Sequence, residues 1–467
     1  MLTYDLEQDT GPLYQCIYQC LKDDIMTGGL QAGDKLPSKR TFARNHGIST
    51  ITIQNAYDQL ISEGYIYTVP KKGYYVAKIR GMRQVPKETN LSLNIQRQEK
   101  KVEYAVDLSD NRMSPERFPF TVWAKIGREI MSDHKSELME PSPAGGTRAL
   151  REAVAEHLKS YRAMLVDPDQ IVVGAGTEYL YSLLVQLLAP RSTYCLEDPG
   201  YKKIAQVYKR CGVTCRYGRL DDQGITVDSL KRSGADIAHI SPNHHFPTGI
   251  TMPASRRYEV LAWANEKEGR YLIEDDYDSE FRLGGRPVPT LFSIDACEKV
   301  IYMNTFSKSL TPTIRISYMV LPVHLANRFY EELSFYSCTV SNFEQYTLAA
   351  FIKQGYFEKH INRMRLYYAR QRQKIKEVLE KGAPGLPCEI RENDSGLHFL
   401  LHLKTDLTDR EVVKKLAEQG VRVHALSEYY TKKQGEEHFF IINYSNLDVE
   451  KAAAAMEIIA DVTGGKL

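Results

Sequence analysis

The stretch "NTFSKSLTPTIRISYMVLP", residues 304–322, places Lys308 between two serines, directly after the apolar run "VIYM". Arg315 follows seven residues later, before a second apolar run. By itself a Ser-Lys-Ser loop is typical of ordinary surface. Ligands of open α/β sheets, however, bind beyond the carboxyl ends of the strands. A lysine one loop beyond a strand is therefore a candidate for a ligand site.

Four further apolar segments precede this stretch and alternate with helical patterns. They are "QIVVGAG", "TYCLEDPG", "DIAHISP" and "RYLIEDD", and each ends in polar residues or glycine. Strands separated by helices predict parallel βαβ units with helices covering the sheet. The sequence therefore predicts a large α/β domain with its chemistry at one edge of a mainly parallel sheet.

The predicted strand ends carry the groups that a pyridoxal phosphate site requires. A phosphate is bound by N–H groups at a helix start, by hydroxyls and by an arginine. A carboxylate keeps the pyridine nitrogen protonated, and a lysine amine reacts with the aldehyde. Each residue alone is also typical of a helix cap or solvated turn, but together they favour the cofactor. The set comprises Ala175, Gly176, Thr177, Tyr201, Asp275, Tyr277, Thr305, Ser307, Lys308 and Arg315.

The N-terminal region predicts a helix-turn-helix. Apolar residues recur every four positions between Gly11 and Gly28, which indicates a first helix. Ser38 is expected to cap a short second helix that Gly47 ends, and Ser49 to cap a third. The third helix would turn Ile53, Ala56, Tyr57, Leu60 and Ile61 inward.

Two β-rich runs in "YIYTVPKKGYYVA" then predict a hairpin, with positive φ at Gly73, and a hairpin beside a helix-turn-helix is a wing. Residues 35–80 carry eight Lys/Arg against two acids, a balance of +6, whereas residues 1–34 carry one lysine against six acids. The local positive charge favours DNA as the partner. A helical protein-binding module is the alternative.

Chain length and composition limit the classes of protein to which this sequence could belong. A chain of 467 residues exceeds a single core and predicts at least two domains. A net charge of +2 excludes a general attraction to nucleic acid or membranes. Eight cysteines without a CxxC pair, no secretory leader and no apolar run of about 18 residues predict reduced thiols, no membrane segment and a bacterial cytoplasm. No metal site is predicted, because no histidine pair accompanies the Cys16/Cys20 or Cys211/Cys215 spacing.

The order of these motifs resembles a known family. Residues 11–77 are similar to the winged helix-turn-helix of GntR-type regulators, and residues 105–467 resemble fold type I aminotransferases, with an exposed polar linker at 78–104. The motifs "SPAGGTRALREAVAEHL", "EDPGY", "HHFPTGITMP", "EDDYDSEFR" and "FSKSLTPTIRISYMVLP" together resemble the MocR family of transcriptional regulators.

The resemblance implies a role for each residue. Lys308 would form the Schiff base, Asp275 would pair with the ring nitrogen, Tyr277 would bond the phenolic oxygen and Tyr201 would stack on the ring. The phosphate would be held by Ala175, Gly176, Thr177, Thr305, Ser307 and Arg315. On the DNA side the resemblance implies Arg40, Ser49, Thr50, Thr52 and Gln54 in the groove region, and Lys72 with Gly73 on the wing.

The sequence also departs from the aminotransferases. Glu140 stands where they carry a tyrosine lent by the partner subunit, and Phe246 stands where they carry an asparagine. The segment "FFIINYS" lacks their arginine for the substrate carboxylate. Arg422, Lys203 or Arg112 could substitute for it.

The sequence therefore predicts a cytoplasmic regulator that binds promoter DNA and senses pyridoxal phosphate, or an amine or amino acid that reacts with it. The resemblance implies a head-to-tail homodimer. The alternatives are an active pyridoxal phosphate-dependent aminotransferase with an appended DNA-binding domain, and a scaffold that has lost the cofactor.

Overall fold

The computed structural model describes residues 4, 11–79, 103–188, 192–283, 288–381, 388–391, 396–432 and 437–464. The chain divides into two units, residues 1–101 and 102–467. Most of the predicted linker, residues 80–102, lies outside the described residues.

The first unit is a small α+β module, as predicted for a winged helix-turn-helix. Its elements are α1 (Leu13–Thr27), β1 (Lys35–Leu36), α2 (Lys39–His46), α3 (Thr50–Ser62), β2 (Ile66–Val69) and β3 (Gly73–Val76). The predicted caps are confirmed: the hydroxyls of Ser38 and Ser49 accept hydrogen bonds from the backbone N–H groups of Thr41 and Thr52. These caps begin the two helices of the helix-turn-helix.

The predicted wing is also present. Strands β2 and β3 pair antiparallel, and Gly73 has the expected positive φ of 116°. Lys71 in the turn has a φ of 61°, which the sequence did not suggest. Strand β1 adds a third strand by pairing with β3, and no signal in so short a segment predicted it.

The second unit contains most of the chain. Its strands are β4 (Val106–Asp107), β5 (Ile171–Gly174), β6 (Thr193–Asp198), β7 (Thr214–Asp221), β8 (Gly224–Ile225), β9 (Ile237–Ile240), β10 (Tyr271–Asp275), β11 (Val300–Thr305), β12 (Ser317–Val320), β13 (Cys388–Arg391), β14 (His398–Leu403), β15 (Val421–Arg422), β16 (His424–Ala425) and β17 (Phe439–Asn443). Its helices are α4 (Phe120–Asp133), α5 (Lys135–Met139), α6 (Arg148–Arg162), α7 (Thr177–Leu187), α8 (Lys202–Arg210), α9 (Val227–Ser233), α10 (Ala254–Asn265), α11 (Leu291–Ile294), α12 (Phe306–Ser309), α13 (Val323–Glu332), α14 (Asn342–Lys353), α15 (Tyr356–Lys381), α16 (Asp409–Glu418) and α17 (Val449–Thr463).

The central sheet has the strand order β5-β12-β11-β10-β9-β6-β7-β8. All five predicted strands are present as β5, β6, β9, β10 and β11. Two strands depart from the parallel arrangement: β12 runs antiparallel between β11 and β5, and the short edge strand β8 pairs antiparallel with β7. Strand β12 is the second apolar run of the opening stretch. Between the neighbouring strands β11 and β12 the chain turns through α12, which carries Lys308, and through a loop that carries Arg315. This turn brings Lys308 to the carboxyl edge of β10 and β11.

A second sheet, β13-β14-β17-β16, follows near the C-terminus. The segment "FFIINYS" forms its strand β17, and β17 pairs with β14 and β16. No helix within the described ranges is both long and apolar enough to cross a membrane. Among those same residues there is no group of three or more side chains suited to a metal ion.

Candidate functional site

A cavity of about 810 Å³ lies in the second unit at the carboxyl edge of the central sheet. It brings together eight of the predicted cofactor residues, and Ala175 and Gly176 adjoin it at the start of α7. The eight predicted residues that line the cavity are Thr177, Tyr201, Asp275, Tyr277, Thr305, Ser307, Lys308 and Arg315.

Lys308 lies on α12, one residue short of the helix end and three residues after β11. Its side chain is partly buried. Burial lowers the pKa of the Lys308 amine, and the nearby negative charge of Asp278 opposes this shift only in part. A lowered pKa increases the fraction of neutral amine, which is the nucleophilic form.

Asp275 ends β10, and its carboxylate is buried. Its Oδ2 accepts a hydrogen bond from the Tyr181 hydroxyl at 2.8 Å and lies 3.3 Å from His239 Nε2. Its Oδ1 is buried with no hydrogen-bond partner among the described residues. Such an orphaned acceptor is costly, and a protonated ring nitrogen would satisfy it. The carboxylate therefore fits the predicted cofactor.

The neighbouring Asp276 has a different environment. Its Oδ2 contacts the Arg162 guanidinium and accepts a hydrogen bond from the Tyr302 hydroxyl at 2.7 Å, and its Oδ1 accepts one from Asn243 at 2.7 Å. Both oxygens are therefore engaged by protein groups, and Asp276 does not line the cavity. Asp275 is the carboxylate that remains for a ligand in the cavity.

The end of the cavity that is predicted to hold the phosphate is formed by α7, α12 and Arg315. The Ser307 hydroxyl is buried without a partner in the described structure. By contrast, Thr305 already caps α12 and accepts a hydrogen bond from the Ser317 hydroxyl at 2.8 Å. Gly176 has a φ of 92°, and a Cβ there would lie 2.1 Å from the Arg315 guanidinium. Glycine is therefore required for Arg315 to reach the start of α7.

The backbone N–H groups at this end of the cavity also differ in whether they already have a hydrogen-bond partner. The N–H of Ala175 donates to the Thr339 hydroxyl at 2.9 Å, and that of Gly176 donates to the Gly174 carbonyl at 2.8 Å. The first turn of a helix leaves its N–H groups without intrahelical partners. In this structure the N–H groups left for an anion are therefore those of the first turn of α7, which begins at Thr177. Phosphate binding by Ala175, Gly176 and Thr177 stays a prediction.

Glu178 is a carboxylate at the same end. It contacts both the Arg315 guanidinium and the Lys203 amine. Burial favours the neutral acid, but the hydrogen bonds from Lys203 and Arg315 outweigh it and lower the pKa of Glu178 to about 2. The Glu178 carboxylate is thus an anion that pairs with Arg315, the cation expected to hold the phosphate.

Tyr277 and Tyr201 occupy different depths of the cavity. The Tyr277 hydroxyl lies 3.1 Å from His244 Nδ1, which lies 2.8 Å from Asp278. Tyr201 is 48% exposed, and its ring meets Phe246 edge to face with centroids 5.9 Å apart. Tyr277 is therefore held from behind by His244, whereas Tyr201 lies at the mouth.

The surface of the first unit presents most of the predicted DNA residues. Arg40, Thr50, Gln54 and Lys72 are exposed. Ser49 is exposed as well, but it and Thr52 form the start of α3, with the Thr52 N–H donating to the Ser49 hydroxyl at 3.1 Å. Gly73 shapes the wing turn through its backbone. Ile51 was not predicted, although it is 71% exposed on the first turn of α3.

Known proteins share both units. The family described as aminotransferase class I and II matches residues 104–459, and the bacterial regulatory proteins of the gntR family match residues 13–76. The HTH-type transcriptional regulator YdeL of Bacillus subtilis (strain 168) is 36% identical over 422 residues, which cover 90% of each chain. The probable rhizopine catabolism regulatory protein MocR of Rhizobium meliloti is 29% identical over 461 residues, covering 96% of this chain and 93% of that one. The chain belongs to the MocR family of transcriptional regulators.

The larger unit of this MocR-family regulator has the aminotransferase fold. It is similar to the crystal structure of the multiple substrate aminotransferase from Thermococcus profundus, with a TM-score of 0.69 and 22% identity over 81% of this chain and 97% of that one. Aminotransferases of class I and II depend on pyridoxal phosphate. A sequence identity of 22% supports a shared fold and no shared activity.

The departures from the aminotransferases can now be located in the MocR-family chain. Arg112 pairs with Asp110 at 2.8 Å, and Arg422 lies 3.5 Å from Asp107. Neither arginine lines the cavity within the described structure. Lys203 does line it, but its amine contacts Glu178. Glu140 is exposed at the end of α5, outside the cavity of its own chain.

Several residues of the MocR-family site were missed from the sequence. Tyr181 and His239 hold Asp275, His244 contacts Tyr277, and Glu178 meets Arg315. The histidine inside the apolar strand "DIAHISP" was the available signal, because an interior strand position favours apolar residues. The other partners are 33 to 137 residues distant in sequence, and no local pattern links them.

Proposed function

We propose that this regulator holds pyridoxal phosphate covalently through Lys308 and changes its DNA binding when a ligand amine takes the place of Lys308. The observation that carries the proposal is the unpartnered Oδ1 of Asp275 in the same cavity as the Lys308 amine. When bound, the cofactor supplies an aldehyde that condenses with primary amines. The side chains of the protein supply the amine, hold the ring proton and bind the phosphate.

Each side chain contributes a definite step. Burial keeps a larger fraction of the Lys308 amine neutral, so that the amine can attack a carbonyl carbon. Asp275, oriented by Tyr181 and His239, holds a proton on the ring nitrogen. Arg315, Ser307 and the N–H groups at the start of α7 bind the phosphate.

DNA binding belongs to the first unit. Arg40 and Lys72 are proposed to contact phosphates, and Thr50 and Gln54 to reach base edges in the major groove. Ser49 and Thr52 support α3 as its cap, and Gly73 shapes the wing. Because the proposed operator is chromosomal DNA, the protein would act in the bacterial cytoplasm.

The proposal includes a homodimer built head to tail. Phe120, Met139 and Phe335 expose 63%, 74% and 75% of their surface on the second unit. Asn342 ties the segment after Phe335 to α5 by hydrogen bonds to the carbonyls of Glu137 and Glu140 at 3.0 and 2.9 Å. Exposed apolar side chains on neighbouring elements are typical of a surface covered by another chain.

Reduction with borohydride tests the cofactor site. The protein is incubated with pyridoxal phosphate, reduced and digested, and the peptides are analysed by mass spectrometry. The expected adduct is on Lys308 and is absent from Lys308→Ala, while Lys404→Ala, an exposed lysine outside the cavity, retains it. An adduct on another lysine, or none, contradicts the proposal.

DNA footprinting on the region upstream of the protein's own gene tests the regulatory half. The expected footprint depends on both the cofactor and an amine. A footprint that is identical under all conditions would leave DNA binding standing and refute the link to the cofactor.

A further inference from the structure

The cavity continues beyond the residues assigned to the cofactor, and its composition changes there. At the phosphate end stand Arg315 and Lys203. Phe246, Tyr429 and Tyr430 form another part of the lining. The volume of about 810 Å³ leaves room for a second molecule beside Lys308, since ligand pockets of roughly 300–1,000 Å³ accept drug-sized compounds.

The aromatic side chains of this part of the lining form one continuous wall. The Phe246 ring meets Tyr201 at 5.9 Å, Tyr429 at 5.2 Å and His398 at 5.3 Å between centroids, each edge to face. Behind them Leu400, Leu426 and Ile441 form a buried apolar cluster, against which Phe246, Tyr429, Tyr430 and Phe439 pack. Strand β17 thus contributes an apolar support where the aminotransferases have a strand arginine.

The buried titratable groups near this wall supply no fixed positive charge. Burial lowers the pKa of His398 well below its usual range and that of His245 to about 3, so both are neutral at physiological pH. Glu197 and Asp275 are acidic groups that line the same cavity. Among the described lining residues the one arginine is Arg315, at the phosphate end, and Lys202, Lys209 and Lys432 are exposed. A buried carboxylate needs a charged partner, and the buried side chains of the wall offer none.

We infer that the effector is a primary amine with an aromatic body and no carboxylate, seated against Tyr201, Phe246 and Tyr429 with its nitrogen at Lys308. This inference rests on the proposed function, because it places the amine beside the cofactor aldehyde. The condensation balances without another reactant: the ligand nitrogen bonds to the carbon held by Lys308, and the Lys308 amine leaves with a proton. Aromatic rings favour edge-to-face contacts of the kind that the wall offers.

A titration with matched ligands tests the inference. The protein loaded with pyridoxal phosphate is titrated with phenethylamine, L-phenylalanine and n-butylamine at one pH, with concentrations corrected for the neutral amine and absorbance as the readout. Phenethylamine is expected to reach half-saturation at a concentration about tenfold lower than either of the others. Phenylalanine differs from it by the carboxylate, and butylamine by the ring. Equal or tighter binding of phenylalanine or of butylamine overturns the inference.

Variants separate the wall from general effects. Tyr429→Ala is expected to raise the half-saturation for phenethylamine about five- to tenfold and to leave that for butylamine unchanged. Tyr258→Ala, which removes a tyrosine that is 60% exposed on α10, is the control and should change neither. Phe246→Asn is a second variant and should reduce the preference for phenethylamine over phenylalanine. If Tyr429→Ala and Phe246→Asn both bind like the parent, the wall is not the subsite.

The borohydride adduct distinguishes the two levels of failure. Without an adduct on Lys308, the proposed function and this inference both fail. With an adduct on Lys308 and a preference for the amino acid, only the inference fails.

Discussion

Glu178 is expected to weaken cofactor binding, because it pairs with Arg315, the arginine assigned to the phosphate. Replacement by glutamine keeps the shape of the side chain and removes the competing charge. In the parent protein a phosphate that reaches Arg315 must displace this carboxylate or share the guanidinium with it. Glu178→Gln should therefore bind pyridoxal phosphate more tightly.

The structure sets the size of the effect. The pKa of Glu178 falls from an ordinary 4.5 to about 2, and at about 1.4 kcal/mol per unit this corresponds to roughly 3 kcal/mol of interaction with its surroundings. The Arg315 and Lys203 side chains are 49% and 48% exposed, so water screens these pairs. A discount to about 1.4 kcal/mol predicts a Kd for pyridoxal phosphate about tenfold lower. Because the pKa lies near 2, the effect should persist across pH 5–8.

The assay compares pyridoxal phosphate with pyridoxal, which lacks the phosphate. Absorbance titrations should show tighter binding of pyridoxal phosphate to Glu178→Gln and unchanged binding of pyridoxal. Glu152→Gln is the matched control, because Glu152 also pairs with two cations, Arg148 at 3.0 Å and Lys353 at 3.3 Å, outside the cavity. Unchanged or weaker binding of pyridoxal phosphate, or an equal gain for pyridoxal, would refute the reasoning.

Three further predictions follow from the same structure. Asp275→Asn should weaken pyridoxal phosphate about 10- to 100-fold, as loss of a charged hydrogen bond does, and shift the absorbance of the loaded protein; matching affinity and spectrum would assign Asp275 another role. Arg40→Ala and Lys72→Ala should each lower the salt dependence of DNA binding by about one ion and weaken all sequences equally, whereas Gln54→Ala should relax sequence preference; unchanged specificity in Gln54→Ala would contradict the register proposed for α3. Burial raises the pKa of Glu197 to about 8, so the folded protein retains a proton that the unfolded chain loses near pH 4.5. The free energy of unfolding should therefore fall as pH rises from about 5 to 8. Denaturant titrations should show a flatter pH profile for Glu197→Gln than for the parent protein, and parallel profiles would contradict this prediction.

The sequence predicted the features whose causes are local. Ser38 and Ser49 cap their helices, and Gly73 has its positive φ, because a cap or a turn is decided within about four residues. The five parallel strands were predictable from apolar runs that end in polar residues. Strand β12 was not assigned, because an apolar run does not encode the direction in which it pairs.

The cavity shows the limit of sequence reasoning more sharply. Asp275 and Asp276 are adjacent and chemically identical, and only the folded sheet shows that Arg162, Tyr302 and Asn243 engage Asp276 while one oxygen of Asp275 is left over. The contact of Glu178 with Arg315 joins residues 137 positions apart. The positions of the expected cofactor residues came from motif resemblance, but the acid that competes for one of them required the structure.

The distribution of charge in the cavity bears on whether the regulator also turns over substrate. Lys308, Asp275 and Arg315 are together in the cavity, so exchange of one amine for another at Lys308 needs no group that the described site lacks. Transamination requires in addition that an amino acid be held by its carboxylate, so that its Cα–H bond faces the ring. Arg112 and Arg422 are paired with aspartates outside the cavity, Lys203 is paired with Glu178, and β17 supports an aromatic wall. We therefore expect no repeated turnover when the loaded protein is incubated with common amino acids and a keto acid. An active enzyme would turn over at a rate on the order of 1 s⁻¹. Turnover at that rate would show that a carboxylate finds a partner in the cavity, and it would support the aminotransferase alternative over the regulator that only exchanges amines.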